Sequence, residues 1–302
     1  MIRAFLDYLR YERNRSPLTV VNYQRDLEAF EAFFTAQDAG LDWTAIDEDL
    51  IRAWMEQLMD QGQKATSVSR RLSALRTFYR YALSRHLVER DPTARIRPPK
   101  TAKPLPQFLK EDELARLFSE PVDETDFLAV RDRTILLLFY STGIRRAELL
   151  GLQVDDINFG EQQIKVTGKR NKQRIVPFGP ELSQWLYLYI NVRARMVDAL
   201  AAPPDGLSTA LFLRPNGNAM SAIMVHNVVH RELSKVTTLK KRSPHVLRHS
   251  FATDMLNHGA SLEAVRKLLG HASLATTQIY THTTFEQLRR SYQKAHPRET
   301  DE

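Results

Sequence analysis

One segment, SPHVLRH at residues 243–249, combines side chains that handle phosphate with the signal that starts a helix. Serine followed by proline is typical of a helix N-terminus, so His245 and Arg248 are predicted in its first turns, where free backbone N–H groups attract an anion. A guanidinium can bind two oxygens of one phosphate, and an imidazole exchanges protons near neutral pH. The segment favours phosphate chemistry, and ordinary charge at a helix start is the alternative.

A second arginine segment, TGIRRAELLGL at residues 142–152, links two predicted helices. The segment Asp126–Thr142 predicts a buried helix that Gly143 ends, and the next helix begins at the arginines. Arg145 would therefore be aimed by rigid elements on both sides, and Glu148, three residues later, can hold it by a salt bridge. On spacing alone, a plain helix–helix connection is the alternative.

Two alternating segments, Gln163–Val166 and Gln173–Pro177, predict a pair of strands around the turn TGKRNK. This turn carries Lys169, Arg170 and Lys172 at the tip of a hairpin. A lysine in such a place can bind phosphate or protonate a leaving oxygen, whereas surface charge is the alternative.

The segment LLGHASLATTQIYTH, residues 268–282, adds a histidine and a tyrosine. His271 follows Gly270, which is predicted to end a short helix, and Ser273 can start another helix that carries Tyr280. A tyrosine hydroxyl, with a pKa of about 10, becomes a nucleophile at neutral pH only beside cations or a base, and the segments above can supply both. A packed tyrosine with a hydrogen-bonded hydroxyl is the alternative.

A metal site is a weaker interpretation of the histidines. His245 and His249 lie four residues apart, as in half of a zinc site, but the glutamate of the H-E-x-x-H pattern is missing. The chain has no cysteine, which excludes disulfides, thiolate metal ligands and cysteine nucleophiles. We expect neither a metal nor another cofactor.

The overall charge favours a polyanionic partner. The 302 residues include 43 basic and 36 acidic side chains and carry a net charge of +7, so nucleic acid is the first candidate and an anionic membrane surface the second. The N-terminus lacks the apolar segment of a signal peptide, and the apolar run Ile135–Tyr140 is far shorter than the ~20 residues of a membrane span. These features predict a soluble cytoplasmic protein, associated with the nucleoid if its partner is DNA.

Charge is segregated within the first hundred residues. Residues 26–60 hold ten acidic side chains and one basic one, whereas residues 64–103 hold eleven basic and two acidic ones. A helix predicted from Thr66 has an apolar face, and its arginines precede a basic linker, which favours contact with a phosphate backbone over a merely solvated face. These arginines are Arg70, Arg71, Arg76 and Arg80.

Four prolines between residues 97 and 106 predict an extended linker over residues 98–107, because they cannot continue a helix. The linker separates a helical N-terminal domain, residues 1–97, from a larger domain, residues 108–302. The larger domain mixes predicted helices with the hairpin strands. The predicted fold is mainly α with a small antiparallel sheet.

In their order and spacing, these segments resemble the tyrosine recombinases, most closely the Xer-type recombinases of bacteria. The matching segments are TGIRRAELLGL, VTGKRNKQRIVPF, SPHVLRHSFATDMLNHGA and LLGHASLATTQIYTH, joined by RSPLTVVNYQRDLEAF and RRLSALRTFYRYA near the N-terminus. The likeness covers nearly the whole chain. One departure is Arg170, where many relatives have glycine.

The resemblance implies six catalytic residues, which are Arg145, Lys169, His245, Arg248, His271 and Tyr280. The two arginines match those that neutralise charge on the scissile phosphate, and the lysine matches the one that protonates the leaving oxygen. The first histidine matches the one that assists proton transfer, and the second matches the one that supports the phosphate or the nucleophile. The tyrosine matches the nucleophile.

The implied reaction is phosphoryl transfer without metal or cofactor. Tyr280 attacks the scissile phosphate, forms a 3′-phosphotyrosyl link and releases a 5′-hydroxyl, and a 5′-hydroxyl of the partner strand reverses the step through a Holliday junction. The ester conserves the energy of the broken bond, so ATP is not needed. The implied role is resolution of chromosome or plasmid dimers during segregation.

The resemblance also implies a two-domain clamp, in which an all-helical core-binding domain and the catalytic domain close around double-stranded DNA. Four protomers act on two sites, as copies of one chain or with a paralogous Xer-type recombinase, and a DNA translocase of the FtsK kind controls close relatives. Residues 285–302 match a C-terminal segment that docks into a neighbouring protomer. Further basic residues assigned to DNA are Lys100, Lys103, Lys172, Lys240, Lys241 and Arg242.

Three other functions fit parts of the pattern. A non-catalytic DNA-binding regulator would keep the basic surfaces without needing Tyr280. A phage or transposon integrase would share the chemistry, but the compact N-terminus without an arm-binding domain favours the Xer-like role. A metal hydrolase using His245 and His249 would lose its activity in EDTA.

Overall fold

The computed structural model describes residues 1–101, 107–168, 171–200, 208–270 and 282–298, with side chains of the last range described from residue 289 onward. Contacts divide the chain into two compact units, Met1–Pro104 and Leu105–Glu302. The predicted domain limits at residues 97 and 108, with the linker between them, stay predictions.

The N-terminal unit is helical and packs around aromatic rings. Phe30 lies 5.7 Å from Trp43, and Trp43 lies 4.4 Å from Phe78, measured between ring centroids. Phe5 meets Phe78 edge-on at 5.4 Å, and all four side chains are buried. Such aromatic pairs stabilise a core beyond the area that they bury. The helices are α1 (Ile2–Asp7), extended by a π-helical turn (Tyr8–Glu12), α2 (Pro17–Gln37), α3 (Glu48–Asp60) and α4 (Ala65–Ser84).

An ion pair inside this unit joins α2 to α4. Asp26 of α2 is only 2% exposed and accepts two hydrogen bonds from Arg70 of α4, one of them 2.9 Å long. Arg71 lies 3.9 Å from the same carboxylate and extends over the ring of Trp54. A buried carboxylate is tolerated only when it is paired and hydrogen-bonded, so α4 must keep these arginines near α2.

The second unit combines eight helices in its described part with a three-stranded antiparallel sheet of order β1-β2-β3. Strand β2 pairs with β3 in a register that places Val166 opposite Arg174. The backbone N–H of Gly168 donates to the carbonyl of Lys172 over 2.8 Å at the end of this pairing. The strands are β1 (Ile157–Asn158), β2 (Gln163–Thr167) and β3 (Gln173–Pro177). The helices are α5 (Glu111–Ser119), α6 (Phe127–Thr142), α7 (Arg146–Leu150), α8 (Pro180–Asp198), α9 (Ala222–Val236), α10 (Pro244–Asn257), α11 (Leu262–Leu269) and α12 (His282–Ala295).

Helix α6 forms the centre of the second unit. Every residue from Val130 to Thr142 is buried, which is typical of a helix that other elements cover on all sides. Its charged residues are satisfied there: Arg133, for example, donates a 2.7 Å hydrogen bond to the carbonyl of Glu120. Asp126 caps the first turn, and Gly143 ends the helix in the left-handed region at φ +59°. The chain then turns directly into the Arg145 segment.

The predicted fold class, mainly α with a small antiparallel sheet, is confirmed. One local prediction needs correction: Ser243 precedes α10, but its side chain makes no capping hydrogen bond. Helix α12 begins at His282, and Tyr292 is buried beside Phe251 of the same chain. Docking of residues 285–302 into a neighbouring protomer stays a prediction. Among the described helices, none has the length and apolar character to cross a membrane.

Gly143 and Gly259 form a matched pair for testing how tightly the turn before Arg145 is packed. Both have positive φ, +59° and +86°, but a Cβ on Gly143 would lie 2.5 Å from Phe251 and 2.7 Å from Leu269, whereas one on Gly259 meets nothing within 4 Å. We expect Gly259→Ala to lower the free energy of unfolding by about 1–2 kcal/mol, from backbone strain alone. Gly143→Ala should lower the free energy of unfolding by ~1–3 kcal/mol more than Gly259→Ala does, because the added methyl group overpacks the turn. Urea denaturation measures both values. Equal losses would contradict the tight packing of this turn.

Candidate functional site

Arg145 is held at the start of α7 by contacts on two sides. Its Nη1 donates to Oε1 of Glu148 over 2.8 Å, and its backbone N–H donates to Oε2 of the same carboxylate over 2.7 Å. Its Nη2 donates to the carbonyl of Gly270 over 3.2 Å. The side chain is still 39% exposed, so part of the guanidinium remains available to a ligand.

Glu148 is buried and serves two arginines at once. Besides Arg145, it accepts hydrogen bonds from Nη1 and Nη2 of Arg174, 2.8 and 3.0 Å long. Burial by itself raises the pKa of Glu148, but the hydrogen bonds and charge of Arg174, followed by those of Arg145, outweigh it and lower the pKa to about 2. The carboxylate is therefore fully ionised at neutral pH.

Arg248 reaches the same place from α10. Only 7% of the residue is exposed, and its guanidinium donates to the carbonyl of Gly143 and, over 2.7 Å, to the carbonyl of Leu269. Burial, followed by the charge of Arg145, lowers its pKa to about 10. The side chain thus stays charged at neutral pH, although burial has removed most of its hydration.

The C-terminal end of α11 gathers all three guanidinium groups, which we call the arginine cluster (Arg145, Arg174 and Arg248). Three consecutive carbonyls accept one bond each: Leu268 from Arg174 over 2.9 Å, Leu269 from Arg248, and Gly270 from Arg145. Carbonyls at a helix C-terminus lack partners within the helix and carry the negative end of its dipole, so they attract cations. The end of α11 and Glu148 together hold the three positive groups side by side.

His245 lies one turn before Arg248 on α10, and the residue is exposed. Partial desolvation, followed by the charges of Arg248, His249, Arg146 and Arg145, lowers the pKa of His245. The neutral imidazole is favoured as a result, and this form can accept a proton. A phosphate at the arginine cluster would reverse part of that effect, because its negative charge stabilises the imidazolium.

Three of the six predicted catalytic residues, Lys169, His271 and Tyr280, lie outside the described residues. The neighbours of two of them are described. A Cβ on Gly168 would lie 3.2 Å from Oε1 of Glu148, and one on Gly270 would lie 3.1 Å from Nη1 of Arg174. The backbone at both glycines thus packs against the arginine cluster and its partner Glu148. A larger residue at either position would displace these side chains.

The residues predicted to contact DNA fall into two groups by their surroundings. In the first group, Arg70 and Arg71 are engaged with Asp26, Arg76 donates to the carbonyl of Ile96, and Arg242 donates to Ser234 over 3.0 Å. The second group is exposed and has no ion pair with any described residue. It consists of Arg80, Lys100, Lys172, Lys240 and Lys241, while Lys103 lies outside the description.

Arg174 is not among the functional residues predicted from the sequence. Strand β3 alternates exposed and buried positions, and Arg174 lies on its inward face beside Val176. A charged residue at an inward position of an alternating strand indicates a buried partner of opposite charge. The alternation of β3 is visible in the sequence, so this signal could have identified Arg174. In the described part of the chain, no group of three or more His, Cys, Asp or Glu residues is arranged to hold a metal ion.

The pKa of Glu148 predicts a specific dependence of stability on pH. Because the folded-state pKa of about 2 lies below the ordinary 4.5, the stabilisation is complete above pH 4.5 and is lost as the pH falls toward 2. Glu148→Gln should therefore lower the free energy of unfolding by about 3 kcal/mol at neutral pH, and the difference from wild type should shrink toward pH 2. Glu263→Gln, at an exposed carboxylate, is the control. A Glu148→Gln difference that does not change with pH would contradict the ionised pair.

Comparison with known proteins places the chain in a family. The Phage integrase family model matches residues 107–287, and the Phage integrase, N-terminal SAM-like domain model matches residues 2–86. The chain is 38% identical to the tyrosine recombinase XerC of Pelotomaculum thermopropionicum, covering 98% of both chains, and 36% identical to XerD of Staphylococcus haemolyticus, covering 99% of both. It shares its fold with the XerH site-specific recombinase, solved as a post-cleavage complex with a palindromic difH substrate, with a TM-score of 0.69 at 22% identity over 93% of this chain and 81% of that one. The chain therefore belongs to the phage integrase family and is a tyrosine recombinase.

Proposed function

We propose that this recombinase cuts and rejoins DNA at the arginine cluster, with Tyr280 as the nucleophile. One observation supports the proposal most strongly: Arg145 and Arg248, which are far apart in the sequence, bind consecutive carbonyls at the end of α11. Two guanidinium groups side by side can neutralise the non-bridging oxygens of one phosphate, and His245 flanks them as a proton acceptor. These are the needs of a phosphoryl-transfer site.

The proposed step exchanges one phosphate ester for another. The Tyr280 oxygen forms a bond to phosphorus while the bond to the 5′ oxygen of DNA breaks, and Lys169 gives that leaving oxygen a proton. His245 takes up the proton of the tyrosine, and His271 supports the phosphate or the nucleophile. The 3′-phosphotyrosyl ester is then attacked by a 5′-hydroxyl of the partner strand. ATP does not enter the scheme, because the ester retains the energy of the broken bond.

We propose that four protomers act together on two core sites. The two sites become joined through a Holliday junction. The other protomers are copies of this chain or a paralogous Xer-type recombinase, and a DNA translocase of the FtsK kind is a candidate activator. The cellular role that fits is the resolution of chromosome or plasmid dimers on the nucleoid. The segment 285–302 would dock into a neighbouring protomer, which requires Tyr292 and Ala295 to leave the positions beside Phe251 that they occupy in the single chain.

The nucleophile can be tested by covalent trapping on a nicked suicide substrate that carries a Xer-like core site, with EDTA present. Wild type should form a protein–DNA adduct, because the released strand diffuses away and rejoining is blocked. Tyr280→Phe should form none while it still binds the site, and Arg248→Ala should bind but cleave at least 100-fold more slowly, as expected for loss of one electrostatic contact to the reacting phosphate. An adduct that persists in Tyr280→Phe would assign the nucleophile to another residue.

DNA contact by the exposed lysines predicts a change in salt dependence. Each phosphate contact contributes about 0.9 to the slope of log affinity against log salt concentration, so replacing Lys240 and Lys241 by alanine should reduce that slope by about 2. The matched control replaces Lys165 and Lys235, which pair with Asp156 and Glu232. It removes the same charge without a predicted phosphate contact. Equal slopes for the two double variants, measured by fluorescence anisotropy, would remove these lysines from the DNA interface.

A further inference from the structure

Arg174 is an arginine without an assigned role, buried beside the catalytic arginines. It lies on the inward face of β3 with a side chain 7% exposed. All three kinds of its guanidinium nitrogen are used: Nη1 and Nη2 bind the two oxygens of Glu148, and Nε binds the carbonyl of Leu268. Among the described residues, its hydrogen-bond partners Glu148 and Leu268 are buried, so we infer that its influence on DNA passes through its neighbours.

The geometry points to Arg174 as a positioning residue for strand cleavage. This inference rests on the function proposed above. We propose that it acts in two ways. It fixes the Glu148 carboxylate, which in turn fixes Arg145, and it ties strand β3 to the end of α11, the helix that leads into residues 271–281. One side chain would thus keep strand β3, Arg145 and the end of α11 in a common arrangement.

The hydrogen bonds around Glu148 explain why a second arginine is needed. A carboxylate with a single arginine partner favours a two-bond fork, in which both of its oxygens face one guanidinium. Here the two Nη atoms of Arg174 take that geometry, and Arg145 contributes only Nη1 from its side chain. The other side-chain nitrogens of Arg145 make no hydrogen bond to Glu148, and Nη2 donates to the carbonyl of Gly270. Without Arg174, Glu148 would draw the Arg145 guanidinium into the fork and away from a phosphate.

Lysine cannot reproduce this arrangement. An ammonium group is a point charge on a flexible stem, whereas the guanidinium fork binds both carboxylate oxygens and the Leu268 carbonyl in one plane of donors. The backbone at Gly270 also packs closely against this side chain, because a Cβ on Gly270 would lie 3.1–3.2 Å from three atoms of Arg174. Arg174→Lys should therefore keep the charge but only part of the positioning.

The experiment compares Arg174→Gln and Arg174→Lys with Arg193→Gln in the full-length protein. Arg193 is a matched control, since it is a half-buried arginine of the same unit that binds the carbonyls of Leu211, Ser208 and Ala210, away from the arginine cluster. We expect Arg174→Gln to slow single-turnover cleavage about 100-fold, the scale of a 1 Å misplacement. DNA affinity should change less than about threefold, because the lost interaction belongs to the transition state. Arg174→Lys should cleave about tenfold faster than Arg174→Gln, and Arg193→Gln should cleave like wild type.

The pH profile separates positioning from a general loss of structure. The hydrogen bonds and charge of Arg174 are the strongest of the effects that lower the pKa of Glu148. Without them the carboxyl group takes up a proton at higher pH, and Arg145 then loses its ionised partner altogether, which leaves its side chain unpositioned. The acid limb of the cleavage rate should therefore move to higher pH in Arg174→Gln and stay in place in Arg193→Gln. An acid limb that stays in place in both variants would overturn the proposal.

A crystal structure of the Arg174→Gln variant tests the proposal without an activity measurement. The expected result is an Arg145 side chain that has moved from the Gly270 carbonyl into a two-bond fork with Glu148. If Arg145 keeps both its 2.8 Å bond to Glu148 and its bond to Gly270, Arg174 does not position it. Wild type that fails to cleave any core site would refute the proposed function instead, and this structure would still test the inference.

Discussion

The Glu148 carboxylate is the interaction on which the rest of the site depends. It is buried, ionised and shared by Arg145 and Arg174, which approach from different elements. A buried charge is stable only with full pairing, so the fold must bring α7 and β3 to the same point before the carboxylate can be accommodated. This requirement fixes the position of Arg145 more firmly than the short helix α7 could by its own hydrogen bonds.

The end of α11 is the second fixed point, and it connects the arginines with the segment that carries the proposed nucleophile. Its last three carbonyls bind the three members of the arginine cluster, and two of these members are the arginines proposed to hold phosphate. A phosphate is a stronger acceptor for a guanidinium than a neutral carbonyl. DNA binding would therefore compete with the end of α11 for Arg145 and Arg248.

Local signals in the sequence predict much of this framework. The Asp126 cap and Gly143 define α6, the alternating segments define the hairpin, and Gly270 ends α11 as expected. These features depend on residues within a few positions of one another, as does the Arg145–Glu148 pair, which was predicted from its spacing. The fold class follows from such signals because each element carries its own periodicity and its own end signals.

Partners that are distant in the sequence could not be predicted in this way. Arg174 is 26 residues from Glu148, and Arg70 is 44 residues from Asp26, so the pairs exist only once the elements have packed. The charge pattern could not reveal that Arg70 and Arg71 pair with a buried carboxylate on another helix, and their contact with DNA stays a prediction. Ser243 shows a related limit: the serine–proline pair marks the start of α10 correctly, although no side-chain capping bond forms.

The most direct test of the shared carboxylate is a double-mutant cycle of Glu148→Gln and Arg174→Gln, read out as single-turnover cleavage on a core-site substrate. If the two residues act as one unit on Arg145, the double variant should be about as slow as the slower single variant, with a coupling free energy of at least ~1 kcal/mol. Rate losses that multiply independently would contradict the account, because Arg174 and Glu148 would then contribute to cleavage by separate routes.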